Sequence, residues 1–385
     1  MEPTDFHSNA AGRPIKTLTG YWAFVPAPLP PPIAYDADLV RLLSQADAAL
    51  SELSGLGRYL PNPDLLIAPY VKREAVASSR IEGTQADLSD LLIDELEPAQ
   101  TPVGSDVIEV RNYVAALHRG IRDLEKLPLS SRLVRDVHRV LMTDVRGQEK
   151  SPGEFRRTQN WIGAPGSTLT TASYVPPPPD PEMHQCIDNW ERFMHERGTL
   201  PELIQCALLH EHFEAIHPFL DGNGRIGRLL ITLFLIKRGR LSRPLLFLSH
   251  YIEARRAEYY TCLQRIRTHG DWLTWLRYFL IGVRDTSRSA IAQSRSILAL
   301  RLSYQGHLHG ELRALALLDT LFVNPYTTVA RASEQLGVTA PTARKTIALL
   351  ESAGMLEEST GKAWGRVWVA KPILRELETA PPASE

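Results

Sequence analysis

The chain has 385 residues, a length that suits two or three domains. Its residues are 44% hydrophobic and 23% charged with a formal net charge of -1, which excludes a disordered polyelectrolyte and any overall charge bias toward nucleic acid or membrane. The three cysteines, Cys186, Cys206 and Cys262, form no C-x-x-C pair, so they carry no metal signature and fit a reducing compartment. The first residues hold no apolar signal-like stretch, and no run of about 18 apolar residues occurs, so a cytoplasmic protein without membrane contact is expected.

Residues 1–32 read as an irregular arm, because Pro26, Pro28, Pro30, Pro31 and Pro32 forbid a helix. Helical periodicity starts near Ala37, with Leu39, Leu42, Leu43, Ala46, Leu50 and Leu53 at spacings of three and four. A second helix is expected after Pro69, ending at Gly83. Others are expected over 106–122 and 131–142. Residues 155–175 change character: Trp161, Ile162, Leu169, Thr170, Thr171, Tyr174 and Val175 surround a turn of Gly163, Pro165 and Gly166, which predicts a β-hairpin. Helices resume over 181–197, 201–216, 223–237, 249–268 and 271–301. From Leu312 three short helices and a hairpin around Thr360, Gly361 and Lys362 predict a winged helix-turn-helix.

The chemistry concentrates in His217-Pro218-Phe219-Leu220-Asp221-Gly222-Asn223-Gly224-Arg225-Ile226-Gly227-Arg228. One helix ends before Pro218 and another starts near Asn223, so free N–H groups at the new helix start can receive an anion. Glycines let the backbone approach a ligand. Asp221 is a hard oxygen ligand suited to Mg²⁺, His217 can exchange a proton near neutral pH, and Arg225 and Arg228 share a helix face. These are the parts needed for phosphoryl or nucleotidyl transfer. The same stretch also fits G-x-G-x-x-G, but a helix rather than a strand precedes it. His210, His212 and His217 do not fit H-E-x-x-H zinc spacing, since Glu214 stands where the second His belongs.

The stretch resembles the Fic signature H-x-F-x-[D/E]-G-N-G-R-x-x-R at every fixed position. The resemblance extends from about Tyr21 to the winged region and includes Gly270-Asp271-Trp272. It implies a mainly α fold: an N-terminal arm and helical region over 1–105, a Fic catalytic domain with its flap over 106–301, a winged helix over 311–372 and a tail over 373–385. It implies a protein adenylyltransferase that uses ATP and Mg²⁺. His217 would be the general base, Asp221 the metal ligand, and Gly222, Asn223 and Gly224 the anion hole. Arg225 and Arg228 would hold the β- and γ-phosphates, Phe219 would anchor the loop, and the flap ending at Tyr174 would hold a target protein as an added strand. Self-modification and a homodimer, aided by the long helix near 287–301, are further expectations by analogy.

Ser78-Ser79-Arg80-Ile81-Glu82-Gly83 matches the family's inhibitory motif, [S/T]-x-x-x-E-[G/N]. Gly83 suits a helix C′ position, which places Glu82 in a last turn, where a carboxylate opposes the helix dipole. The resemblance implies that Glu82 pairs with Arg228 and that Ser78 caps or braces the loop. The sequence departs from relatives at Arg255-Arg256, where Asn before Arg is common, and leaves Tyr251 and Tyr259 to stack on the base. An intact Gly224 favours nucleotidyl over phosphoryl transfer. The winged region, with Thr342, Arg344, Lys345, Lys362 and Arg366, could meet DNA or serve protein contacts. The alternative function is therefore a DNA-binding regulator whose Fic domain is silent or uses another nucleotide donor.

Overall fold

The computed structural model describes residues 3–59, 64–96, 102, 105–164 and 166–378. Pro165 of the expected turn and the chain beyond residue 378 lie outside them.

The N-terminal arm is not irregular. β1 (Gly12–Lys16) and β2 (Trp22–Pro26) form an antiparallel ribbon with Gly12 opposite Pro26 and Lys16 opposite Trp22. A two-stranded ribbon has free edges, so its prolines need not break a ladder. Tertiary contacts hold it: the Phe24 N–H donates to the Val175 carbonyl at 2.8 Å, and the Phe24 ring lies 6.0 Å from that of Tyr174.

α1 (Ala37–Tyr59) carries the predicted apolar stripe and packs along α11 (Trp272–His307). α2 (Asp64–Ile81) begins before Pro69 rather than after it. The helix gives up one backbone bond there and is held by burial of Leu65, Leu66, Tyr70 and Val71. The short α3 (Leu88–Asp94) was not anticipated; a reciprocal Asp87–Asp90 capping box starts it. α4 (Asp106–Leu124) and α5 (Ser131–Leu141) pair with each other, and both touch α8 (Asn223–Lys237). α6 (His184–His195) packs on α7 (Glu202–Ile216). The helix expected over 249–268 is two, α9 (Leu248–Ala254) and α10 (Arg256–His269), broken at Arg255, whose φ of -124° and ψ of 37° leave the helical region.

α7 is buried from Leu203 to Ile216, and α8 is buried over most of its length. Helices apolar on all sides belong at the centre of a bundle. Their connection, residues 217–222, is thereby held in the middle of the molecule.

The segment expected as a hairpin over 155–175 has a single antiparallel bridge, Ile162 with Tyr174. Thr168 and Thr171 turn the chain locally instead: the Thr171 N–H donates to the Thr168 carbonyl at 3.0 Å. Closely spaced glycines, threonines and serines favour such turns over a ladder.

The C-terminal unit runs α12 (Leu312–Val323), β3 (Tyr326–Thr327), α13 (Val329–Leu336), α14 (Ala340–Ser352), β4 (Glu357–Glu358), β5 (Trp368–Val369) and α15 (Lys371–Glu378). Its antiparallel sheet has the order β3-β5-β4. Residues 373–378, expected as tail, belong to α15, which buries Ile373 and Leu377 and packs on α11. α12 packs on α2, and Lys72 of α2 donates to Glu95 at 2.7 Å and to the Val323 carbonyl at 3.3 Å.

Candidate active site

The α7–α8 connection is held by side chains around it. His217 closes α7 with φ 49° and ψ 60°, a left-handed conformation that is uncommon for a residue with a Cβ. Phe219 is fully buried and stacks on His138 with centroids 3.8 Å apart. Asn223 grips the Phe219 main chain twice: its Oδ1 accepts from the Phe219 N–H and its Nδ2 donates to the Phe219 carbonyl, each at 2.8 Å. Asn160 donates to the Phe219 carbonyl at 2.8 Å and to the His217 carbonyl at 3.2 Å. The buried Arg156 donates to the His217 carbonyl at 3.0 Å, to the Ile216 carbonyl at 3.3 Å and to the Pro177 carbonyl. It thus joins the loop to the end of the 155–175 segment. Burial lowers its pKa to about 10, which keeps it charged at neutral pH.

Gly222 has φ 73°, and a Cβ there would stand 2.9 Å from the Met142 Sδ. Glycine is required by both conformation and space. No side chain caps α8, so its first-turn N–H groups stay open to an anion.

Burial lowers the His217 pKa to about 4, and Arg156 and Arg267 push the same way. The imidazole is neutral at pH 7 and can accept a proton. Asp221 keeps a third of its side-chain surface open (32%), and Lys150 Nζ lies 2.8 Å from its Oδ2. Burial raises the Asp221 pKa, but the hydrogen bond and charge of Lys150 outweigh it, so the net shift is downward and the group is a carboxylate. His138 sits behind it. Its Nδ1 accepts the Gly153 N–H at 2.8 Å, so its Nε2 carries the proton and donates to the Asp221 carbonyl at 3.0 Å. An accessible carboxylate beside an open helix N-terminus fits Mg²⁺ held jointly with substrate phosphates.

The two arginines part company. Arg225 is buried with Glu109 at 3.3 Å and lies 4.0 Å from Asp221. Arg228 donates Nε to the Ser78 hydroxyl at 2.9 Å, and its second nitrogen donates to the Ser78 carbonyl at 2.8 Å and to Glu82 Oε1 at 2.7 Å. Ser78 therefore holds Arg228 directly rather than capping or bracing the loop. Glu82 stands one residue beyond α2 rather than in its last turn, with Gly83 at φ 98°. Burial raises the Glu82 pKa, but Arg228 outweighs it and the net shift is downward. A Cβ on Gly224 would meet Glu82 Oε1 at 2.2 Å. The Glu82 carboxylate thus lies against the start of α8.

Tyr251 and Tyr259 do not offer stacking faces. Both are buried; Tyr251 lies 5.1 Å from Tyr278 with Arg255 over its ring, and the Tyr259 hydroxyl is 2.9 Å from His210 Nε2. Their apolar helical spacing belongs to the core. The neighbouring exposed ring is Tyr260. His138, Lys150, Arg156, Asn160 and Glu109 were missed by the sequence reading. Only His138 left a trace, as a polar residue among Val134, Val137 and Leu141 on an apolar stripe.

Two family models match in sequence, Fic/DOC family N-terminal over residues 40–122 and Fic/DOC family over residues 128–235. The chain thus carries Fic N-terminal and Fic domains. A probable protein adenylyltransferase of Aquifex aeolicus is 27% identical to this Fic chain over 187 residues, 48% of this chain and 54% of that protein. Protein adenylyltransferase Fic of Drosophila erecta is 29% identical over 157 residues, 40% of this chain and 28% of that protein. The chain thus spans about half or less of these curated relatives. A solved Fic family protein from Desulfovibrio desulfuricans G20 superposes with a TM-score of 0.58 at 20% identity, covering 89% of this chain and 98% of its own. A Fic domain containing signaling protein from Bacteroides thetaiotaomicron VPI-5482 gives a TM-score of 0.51 at 19% identity, covering 66% of this chain and 96% of its own. Both share the fold. Among the described residues, no helix is long and apolar enough to cross a membrane.

Proposed function

We propose that this Fic protein is a protein adenylyltransferase that moves AMP from ATP to a Ser, Thr or Tyr hydroxyl of a protein, itself included. The observation that carries the reading is the uncapped start of α8 placed beside the Asp221 carboxylate and the neutral His217. Relatives named protein adenylyltransferases support it.

The α8 N–H groups receive the phosphates. His217 takes the proton of the attacking hydroxyl, a role typically worth roughly 10²–10⁴-fold in rate. The new bond joins the target oxygen to the α-phosphorus, the α–β bridging bond breaks, and pyrophosphate leaves. Asp221 would hold Mg²⁺, which when bound offsets phosphate charge. A target segment would add to the chain near Ile162 and Tyr174 by main-chain bonds. The three cysteines are free thiols, which suits a cytoplasmic setting.

Glu82 acts as a brake in this reading. Its carboxylate holds Arg228 and lies against Gly224, where it repels a terminal phosphate and keeps the guanidinium from it. Because the Glu82 pKa is depressed by its partner, the pair holds above the ordinary carboxylate range and is lost only as pH falls through the lowered value. Acidification to about pH 5 therefore leaves the brake on.

The test is label transfer to protein from α-labelled ATP with Mg²⁺. Glu82→Gly is expected to label strongly above the parent, and His217→Ala in the same background to lose roughly 10²–10⁴-fold. No label from ATP in any variant would sink the adenylyl reading and turn attention to other nucleotide donors or a silent fold.

A further inference from the structure

α14 buries Ala343, Thr346, Ile347 and Leu350 against its own unit and turns Arg344, Lys345 and Ala348 outward. Between α14, the start of α13 and the turn joining β4 to β5 lies a groove of about 540 Å³. Its floor includes Ile347 and Trp368, and its rim carries Arg344, Trp364 and Arg366. Trp368 is 8% exposed, and its buried indole N–H has no acceptor among the described residues. Trp364 is 84% exposed, an extreme for so large an aromatic ring in a folded chain.

Charge decides what this face fits. Arg344, Lys345, Lys362 and Arg366 are all exposed. Two surrounding acids are paired elsewhere, Glu357 with Lys371 at 2.8 Å and Glu334 with Arg331 at 3.3 Å, while Glu358 accepts the N–H groups of Thr360 and Gly361 at 2.8 and 2.9 Å and lies near Arg366. Glu351 is the one acid among the described groove residues. The chain carries a net charge of -1, so four cations on one helix and one turn are a local concentration. The turn is braced from within, since Arg366 Nε donates to the Lys362 carbonyl at 2.8 Å.

We propose that this face is a duplex DNA-binding site, a second function of the protein separate from group transfer. α14 enters the major groove with Arg344 and Lys345 at the phosphates. The 359–367 turn lies along the adjacent backbone with Lys362 and Arg366, and Trp364 packs on sugar and base edges. Glu351 and Glu358 offset only part of the charge of the four exposed cations, and a phosphate backbone neutralises the remainder.

The test is fluorescence anisotropy of a short labelled DNA duplex of mixed sequence with the full chain. Four phosphate contacts give a slope of about -3.6 in log affinity against log salt, or about a 150-fold loss between 50 and 200 mM salt. Arg344→Ala with Lys345→Ala should halve that slope and leave thermal unfolding unchanged, because both side chains are exposed. Trp364→Ala should weaken binding without changing the slope. His217→Ala should bind as the parent does, so failure of the transferase reading and failure of this one are separable. Absence of binding at 50 mM salt, equal slopes in parent and double variant, or tighter binding to single-stranded RNA would each overturn the proposal.

Discussion

The 217–222 loop and the 161–175 segment are built in opposite ways. In the loop, the Phe219 main chain alone receives hydrogen bonds from Asn223 and Asn160, while Arg156 and His138 hold the His217 and Asp221 carbonyls. In the segment, one backbone bridge and a few local threonine turns supply the order, and Trp161 lies 42% exposed. The first arrangement sets catalytic atoms in place before substrate arrives. The second carries fewer bonds per residue and keeps part of its side chains at the surface. Under the proposed function, the second is where a target segment would add by main-chain bonds.

The contrast can be broken most strongly at Phe219. Phe219→Ala removes a fully buried ring and should cost about 3–5 kcal/mol of stability, measured by denaturant unfolding. If it costs under about 1 kcal/mol, the loop is not anchored as described. Asn223→Ala leaves the Phe219 N–H without its partner and the carbonyl with Asn160 alone, and should cost about 1–3 kcal/mol, with a loss of labelling that exceeds its loss of stability. Trp161→Ala sharpens the comparison from the other side: its stability should stay within about 0.5 kcal/mol of the parent, while labelling of a protein target falls. A large destabilisation by Trp161→Ala would show the segment to be as tightly built as the loop.

Glu82 and Arg228 illustrate what a motif can and cannot say. The spacing around Ser78 and Glu82 was legible, and the resemblance paired Glu82 with Arg228 correctly. The role of Ser78 was not legible, because whether a hydroxyl faces its own loop or a guanidinium 150 residues away depends on how two helices meet. Arg156 was silent for a related reason: a buried arginine bonded to carbonyls has the same letter as a solvated one. Tyr251 and Tyr259 were misjudged because aromatic residues beside a candidate site serve the core as readily as a ligand.

By itself, the sequence determined the helical period of α1, the helices either side of the break at Pro218, the glycines at the start of α8 and the resemblance to the Fic family. These rest on local rules of period, proline and glycine that hold wherever the segment lies. Only the tertiary structure decided that the N-terminal arm becomes a ribbon, that residues 155–175 keep one bridge, and that α2 runs through Pro69. In each of these cases weak local preference was overruled or satisfied by the tertiary surroundings: Val175 for Phe24, His217 for Arg156, and the core that buries Leu65, Leu66, Tyr70 and Val71 around Pro69. Such pairings are set by how buried helices pack.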